Sequence, residues 1–327
     1  MRACIVGAGA IGGLIGARLA AAGDAQVSVL ARGATLASLR ANGWRVRRGD
    51  DLLQVSARAS DSARELGAQD LVIIAVKGPA LTEVARSIAP LFDADTIVMP
   101  AMNGVPWWFG AGVAALGDRP LESVDPGGIV GAAIGIERVV GCVVHMAAST
   151  PEPGLVLHKM GEGLIVGEAR GGKSDRVQRV ADLLAKAGFE LTHSADVRRD
   201  IWYKLWGNLT MNPVSAMTGA TGDRILADPL VMRLCHDAMR EAAAIGEKLG
   251  CPVDQAPEDR SKITAKLGVF KTSMLQDAEA GRALELDAIV GVVHELGVRL
   301  AVPTPNVDAI FGLARLYGRV HGLYPKG

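Results

Sequence analysis

Between Asp200 and Pro213 the chain reads DIWYKLWGNLTMNP, with Lys204, Asn208 and Asn212 four residues apart. In a helix each step of four advances about 40°, so an ammonium and two amides point in nearly one direction. Ile201, Leu205 and Met211 fall within about 100° of Lys204, so that direction is not a plain solvent face. A second polar group lies in an apolar pattern: Glu285, in GRALELDAIVGVVHELG. On a helical wheel Ile289, Val292 and Leu296 lie within about 40° of it and Asp287 points roughly opposite. A carboxylate centred on an apolar stripe is costly unless it has a partner, and Lys204 is a natural candidate. Such a pair could do acid–base chemistry, or it could simply hold two helices together.

A second constellation opens the chain. Ala3 to Val6 reads as a buried strand, and Gly7, Gly9 and Gly12 follow as G-x-G-x-x-G. A small-residue helix runs on to about Ala22, Gly23 is placed to stop it, and Gln26 to Ala31 forms a second strand. In this context the glycines carry a phosphate-binding function. Gly7 allows the tight turn, Gly9 lets backbone approach a pyrophosphate, and Gly12 lets the helix lie close to the sheet. Ala10 and Ile11 complete the helix opening, whose N-terminus favours phosphate charge. FAD and S-adenosylmethionine sites share parts of this pattern. An NAD site places Asp or Glu at the end of the second strand for the ribose 2′-hydroxyl. Here the sequence is VLARGATL, and Arg32 suits a 2′-phosphate, which favours NADP. Lys77 follows the apolar run LVIIAVK and Asn103 follows TIVMPAMNG. Both therefore fall at strand C-terminal ends, where ligands bind in open α/β sheets.

These motifs need elements to position them. The chain has 327 residues, enough for two domains, with 49% hydrophobic residues and 40 glycines, as in an α/β protein rich in turns. Further strands are expected at Leu71 to Val76 and Thr96 to Met99, with helix around Glu83 to Ala89, giving a parallel doubly wound sheet. From Val139 the segments RVVGCVVHMA, GLVLHK and GLIVGEA read as short antiparallel strands. The segment SDRVQRVADLLAKAG then reads as a helix and FELTHS as a strand. Beyond Ala195 the strand signal ends. Asp228 caps and Pro229 starts a helix that Gly250 can end. Others are expected from about Ser261 through Met274 and from Glu285 to Leu296. The predicted organisation is a Rossmann-type domain over 1–195 and an all-helical domain over 196–327.

Lys+Arg and Asp+Glu balance at 35 each, which gives no global electrostatic reason to bind nucleic acid or an anionic membrane. Cys4, Cys142, Cys235 and Cys251 are scattered without a CxxC pair, and the histidines have no metal-ligand spacing, so no metal site is expected. The apolar start resembles a signal peptide but breaks at Arg18, too short to span a bilayer. A cytoplasmic protein, monomer or homodimer, is the expectation.

The chain resembles the ketopantoate reductases (2-dehydropantoate 2-reductases) over nearly its whole length. The resemblance is carried by GAGAIG at Gly7 to Gly12, AVK at Lys77, NG at Asn103–Gly104 and WYKLWGNLTMNP. It continues in SMLQDAEAGRALELDAIVG, with Ser273, Asp277 and Glu285. It implies that Lys204 is the catalytic lysine and Glu285 the second key catalytic residue. Asn208, Asn212 and Ser273 match substrate-binding positions, Arg32 the NADPH 2′-phosphate contact, and Lys77 and Asn103 cofactor-side residues. It also implies a Rossmann domain, a helical domain and an active site between them. NADPH would deliver hydride to the C2 carbonyl of a 2-oxo acid, with Lys204 polarising the oxygen and donating the proton.

Two departures bear on the substrate. About ten residues after Asn212 the family has a substrate-binding asparagine, where this chain has Gly222 in SAMTGATGDRIL. The segment after Asn103 is long and contains Trp107, Trp108 and Phe109, which suit either an apolar pocket wall or a packed Ω-like loop or dimer contact. A different, bulkier 2-oxo acid is the alternative substrate. A non-catalytic NADP(H)-binding sensor is a third reading, against which Lys204 and Glu285 argue.

Overall fold

A computed structural model describes residues 1–326. The chain divides into two compact units, one built from Met1–Met102 with Ile129–Asp200, the other from Asn103–Gly128 with the chain from Ile201 onward. The segment after Asn103, which the sequence assigns to the first domain, thus belongs to the second unit.

The first unit begins with β1 (Arg2–Val6), α1 (Ala10–Ala22), β2 (Gln26–Leu30) and α2 (Gly33–Asn42). A hairpin of β3 (Trp44–Arg48) and β4 (Asp51–Val55), not foreseen from the sequence, precedes β5 (Arg58–Ser60) and α3 (Ala63–Leu66). Then come β6 (Leu71–Ile74), α4 (Gly78–Ser87) and β7 (Ile97–Pro100). Strands β5, β2, β1, β6 and β7 form one parallel sheet in that order, a Rossmann-type arrangement. After α5 (Ile129–Ile134) come β8 (Val140–Glu152), β9 (Leu155–Glu168), α6 (Asp175–Lys186) and β10 (Glu190–His193). With the β3–β4 hairpin these strands make a second sheet.

Helix α1 packs against both sheets, which explains its composition. A Cβ on Gly13 would lie 2.6 Å from Val156, and one on Gly16 would lie 2.3 Å from the Trp44 ring. Any larger residue there would push the second sheet away. GLVLHK and GLIVGEA lie on one long strand, β9, not on two. Gly161, at φ +77, carries the irregularity in its pairing with β8, since a Cβ there would come 2.4 Å from the His145 carbonyl oxygen.

Helix α7 (Val197–Thr218) starts in the first unit and continues into the second. There follow α8 (Gly222–Ala227), α9 (Pro229–Lys248), α10 (Pro257–Ala265), α11 (Ser273–Glu279), α12 (Val292–Arg299) and α13 (Pro305–Val320). As read from the sequence, the Asp228 carboxylate caps α9 by accepting from the N–H groups of Leu230 and Val231. The expected helix from Ser261 through Met274 is instead α10 and α11. Gly268, at φ +64, interrupts it, and the Thr272 hydroxyl caps the new start by accepting from Leu275 N–H. Glu285 precedes its helix, because Asp287–Gly291 forms a π turn that leads into α12.

The Glu168–Arg176 pair joins the end of β9 to α6. Arg176 Nε donates to Glu168 Oε1 at 2.7 Å, and Ser174, the N-cap of α6, donates to the same carboxylate. The Arg176 hydrogen bond holds the Glu168 carboxyl below its ordinary value of 4.5, against the opposing effect of burial. A depressed carboxyl stabilises the fold above its unfolded value, and that contribution is lost as pH falls through the folded one. Arg176→Met should therefore cost about 2 kcal/mol near neutrality. In thermal melts its deficit should shrink as the pH drops below about 4.5; a deficit independent of pH would remove the pair from the stability of this unit.

Candidate active site

The glycine loop lines a cleft of ≈ 460 Å³ in the first unit, with Arg32 and Thr35 on one side and Val76, Ala80 and Glu83 on another. The tip of the β8–β9 hairpin, Thr150 to Gly154, completes it. Gly7 has φ +92, and a Cβ there would strike Val76 at 2.6 Å. A Cβ on Gly12 would lie 2.0 Å from the Gly7 carbonyl oxygen. Gly9 differs: nothing stands within 4 Å of its Cβ position. The first and third glycines are needed by the protein itself, while the second leaves open the space a pyrophosphate would take. A dinucleotide therefore fits these residues. Ala10, Ile11 and Gly12 form the first turn of α1, and Lys77 stands at the N-cap position of α4, after the β6 segment. Arg32 stands at the N-cap position of α2 and is ion-paired at 2.5 Å with Glu83. The sequence around Arg32 holds no carboxylate, so that partner was not visible there.

In the second unit Lys204 Nζ donates to Asn103 Oδ1 at 3.0 Å. Asn103, read from its strand-end position as a cofactor contact, is thus joined to the lysine. The next residues fix this turn. Gly104 has φ +80, and a Cβ on it would come 2.3 Å from the Ala288 carbonyl oxygen. Val105 N–H donates to that same oxygen at 2.8 Å. Ala288 lies in the π turn directly after Glu285. Lys204 on α7, the Asn103–Gly104 turn and the Glu285 segment are therefore tied together by two hydrogen bonds and one close backbone contact. Asn208 is half-buried and Asn212 is 5% exposed. Asn212 Nδ2 has no hydrogen-bond partner among the described residues. A buried amide donor without a partner is costly, and a ligand acceptor would relieve it.

Ser273 is exposed at the first position of α11, and Asp277 on the same helix is held by Arg282 Nε at 2.9 Å. Gly222 opens α8, and its N–H donates to the Phe270 carbonyl at 2.9 Å. A Cβ at this position would stand 2.2 Å from the Phe270 ring. At Gly222 the Phe270 ring occupies the space where a side chain would begin. Trp107, Trp108 and Phe109 are buried, and Phe109 stacks on Trp202 with ring centroids 5.8 Å apart. Arg299 holds the segment through the carbonyls of Pro120 and Leu116 at 2.9 and 2.7 Å, while Glu295 accepts from the N–H groups of Glu122 and Ser123. The Trp-rich stretch is a packed strap within the second unit.

All four cysteines are buried, and burial pushes the Cys4 and Cys235 thiols up to about 11, which disfavours the thiolate at those two positions. Among the described residues no three His, Cys, Asp or Glu side chains converge to hold a metal ion, and no helix is long and apolar enough to cross a membrane.

Asp287, which the wheel turns away from the apolar stripe, is half-buried and accepts from the Tyr324 hydroxyl at 2.5 Å. Burial raises its carboxyl above the ordinary 3.8, against the hydrogen bond that lowers it. A raised carboxyl makes the fold less stable as pH climbs from the unfolded value through the folded one. Asp287→Asn keeps an acceptor for Tyr324 and removes the titration. It should melt at or above the wild-type temperature at neutral pH, with the difference vanishing below pH 3.8. A lower melting temperature at neutral pH that disappears below pH 3.8 would show that the ionised carboxylate is needed.

The model of the family "Ketopantoate reductase PanE/ApbA" matches residues 3–171, and that of its C-terminal domain matches residues 196–318. A 2-dehydropantoate 2-reductase of Mesorhizobium japonicum is 44% identical over 325 residues, 99% of this chain and 100% of that protein. A crystal structure from Ralstonia solanacearum, provisionally named a ketopantoate reductase, superposes with a TM-score of 0.95 at 51% identity and covers 99% of both chains. The ternary structure of D-mandelate dehydrogenase with NADH and anilino(oxo)acetate shares the fold, at TM-score 0.85 and 19% identity over 99% of this chain and 100% of that one. With both family models matched and a full-length relative at this identity, the chain belongs to the ketopantoate reductase family and is an oxidoreductase of the 2-dehydropantoate 2-reductase type.

Proposed function

We propose that the protein reduces 2-dehydropantoate to (R)-pantoate with NADPH, as a cytoplasmic enzyme of pantothenate and coenzyme A biosynthesis. The observation that carries this reading is the Lys204–Asn103 hydrogen bond, with the Asn103–Gly104 turn seated on the π turn after Glu285. Bound at the glycine loop, NADPH supplies a hydride. As C2 of the substrate is reduced, negative charge grows on its oxygen. The Lys204 ammonium stabilises that charge and transfers a proton to the oxygen, completing the hydroxyl. Asn103 accepts one N–H of Lys204, which fixes the direction of the remaining donors. Glu285 orients the lysine or accepts from a substrate hydroxyl. Asn208 and Asn212 hold a small polar substrate through uncharged hydrogen bonds, and the unpartnered Nδ2 of Asn212 is a donor ready for that role. Ser273 binds the carboxylate. Lys77 and Arg32 serve the cofactor, Arg32 at its 2′-phosphate.

The Phe270 ring at Gly222 favours a second reading, reduction of a bulkier and less polar 2-oxo acid, because it replaces a polar side chain with an apolar surface beside α11. Following NADPH oxidation with 2-dehydropantoate beside a panel of larger 2-oxo acids decides between the two. Fastest turnover of 2-dehydropantoate supports the first, and a faster panel member supports the second. Lys204→Ala should lower kcat by roughly 10²–10⁴-fold with either substrate while the Kd for NADPH stays nearly unchanged. Near-normal turnover would remove Lys204 from the mechanism.

A further inference from the structure

The cleft beside the glycine loop has an uneven charge. Among its lining residues Arg32 is the sole cation, whereas Glu83 and Glu152 are both carboxylates. Glu152 is engaged by Arg45, at 3.1 Å. Glu83 is engaged by Arg32 itself, Oε1 to Nη1 at 2.5 Å. The two residues come from different elements, Arg32 from the N-cap position of α2 and Glu83 from α4. Both side chains are more than half exposed, at 56% and 69%. An exposed pair of this kind is worth little and separates readily when a better partner arrives.

We infer that Glu83 is a cofactor-selecting residue, one that competes with a 2′-phosphate for Arg32 and so sets how strongly the protein prefers NADPH over NADH. This rests on the assignment of Arg32 to the 2′-phosphate. A phosphate monoester, close to dianionic at neutral pH, must take the guanidinium from Glu83 and then remain beside a carboxylate of like charge. NADH carries a 2′-hydroxyl there, a donor that a carboxylate accepts well. The same pair therefore penalises the phosphorylated cofactor and offers the unphosphorylated one an acceptor. The protein should use both cofactors, with an NADPH preference narrower than Arg32 alone would give.

The test measures Kd for NADPH and NADH, and for the fragments 2′,5′-ADP and 5′-AMP, with the wild type, Glu83→Gln and Arg32→Gln, each checked for an unchanged melting temperature. The fragments isolate the adenosine end from the nicotinamide. With Glu83→Gln the Kd for NADPH and 2′,5′-ADP should fall by about 1.5- to fivefold, the range of an exposed charge pair, while NADH and 5′-AMP bind no more tightly. An unchanged NADPH-to-NADH ratio in Glu83→Gln, alongside a collapsed ratio in Arg32→Gln, overturns the inference and leaves the phosphate assignment standing. An unchanged ratio in Arg32→Gln overturns both.

Discussion

Gly104 lies so close to the Ala288 carbonyl oxygen that no side chain fits between them, and the polar centre of the second unit depends on that approach. Through it, one tight turn holds Asn103 against Lys204 and at the same time holds the backbone just after Glu285. The π turn takes part directly, because its Ala288 carbonyl accepts from Val105 N–H outside the helix. Wide turns of this kind often mark functional sites, since they release a backbone group from the regular ladder. Here the Ala288 carbonyl anchors the strap that carries the lysine's partner.

The first unit solves a similar problem with small residues. Gly7 and Gly12 are fixed by contacts within the protein, and Gly13 and Gly16 by the second sheet, so α1 is bounded on two sides. The emptiness at Gly9 stands out against this crowding. Close packing around the loop makes one open position a recognisable feature.

Much of this was legible because the signals were local. The glycine loop between strand and helix, the Asp228 cap and the four-residue spacing of Lys204, Asn208 and Asn212 are each contained within a few turns of chain. What the sequence hid was set by distant partners. Asn103 is 101 residues from Lys204, and Glu83 is 51 from Arg32, so neither pairing leaves a mark in the local pattern. The placement of Glu285 and Asp287 failed for another reason. A helical wheel assumes 100° per residue, whereas this stretch begins outside the helix and then widens into a π turn. Trp107 and Trp108 were ambiguous because aromatic residues suit a pocket wall and a packed loop equally well, and only Phe109 on Trp202 and the grip of Arg299 distinguish the two.

The strap also constrains the order in which the chain can be assembled. Its aromatic cluster leaves the ribosome long before Trp202, the ring on which Phe109 stacks, and before Arg299, which clamps its far end. At roughly 5–20 residues per second, the interval before Trp202 appears is on the order of ten seconds. During that time Phe109 lacks the Trp202 ring on which it stacks. The nascent protein is therefore most vulnerable to misassociation midway through synthesis, and its second unit can close only after nearly the whole polypeptide has been made.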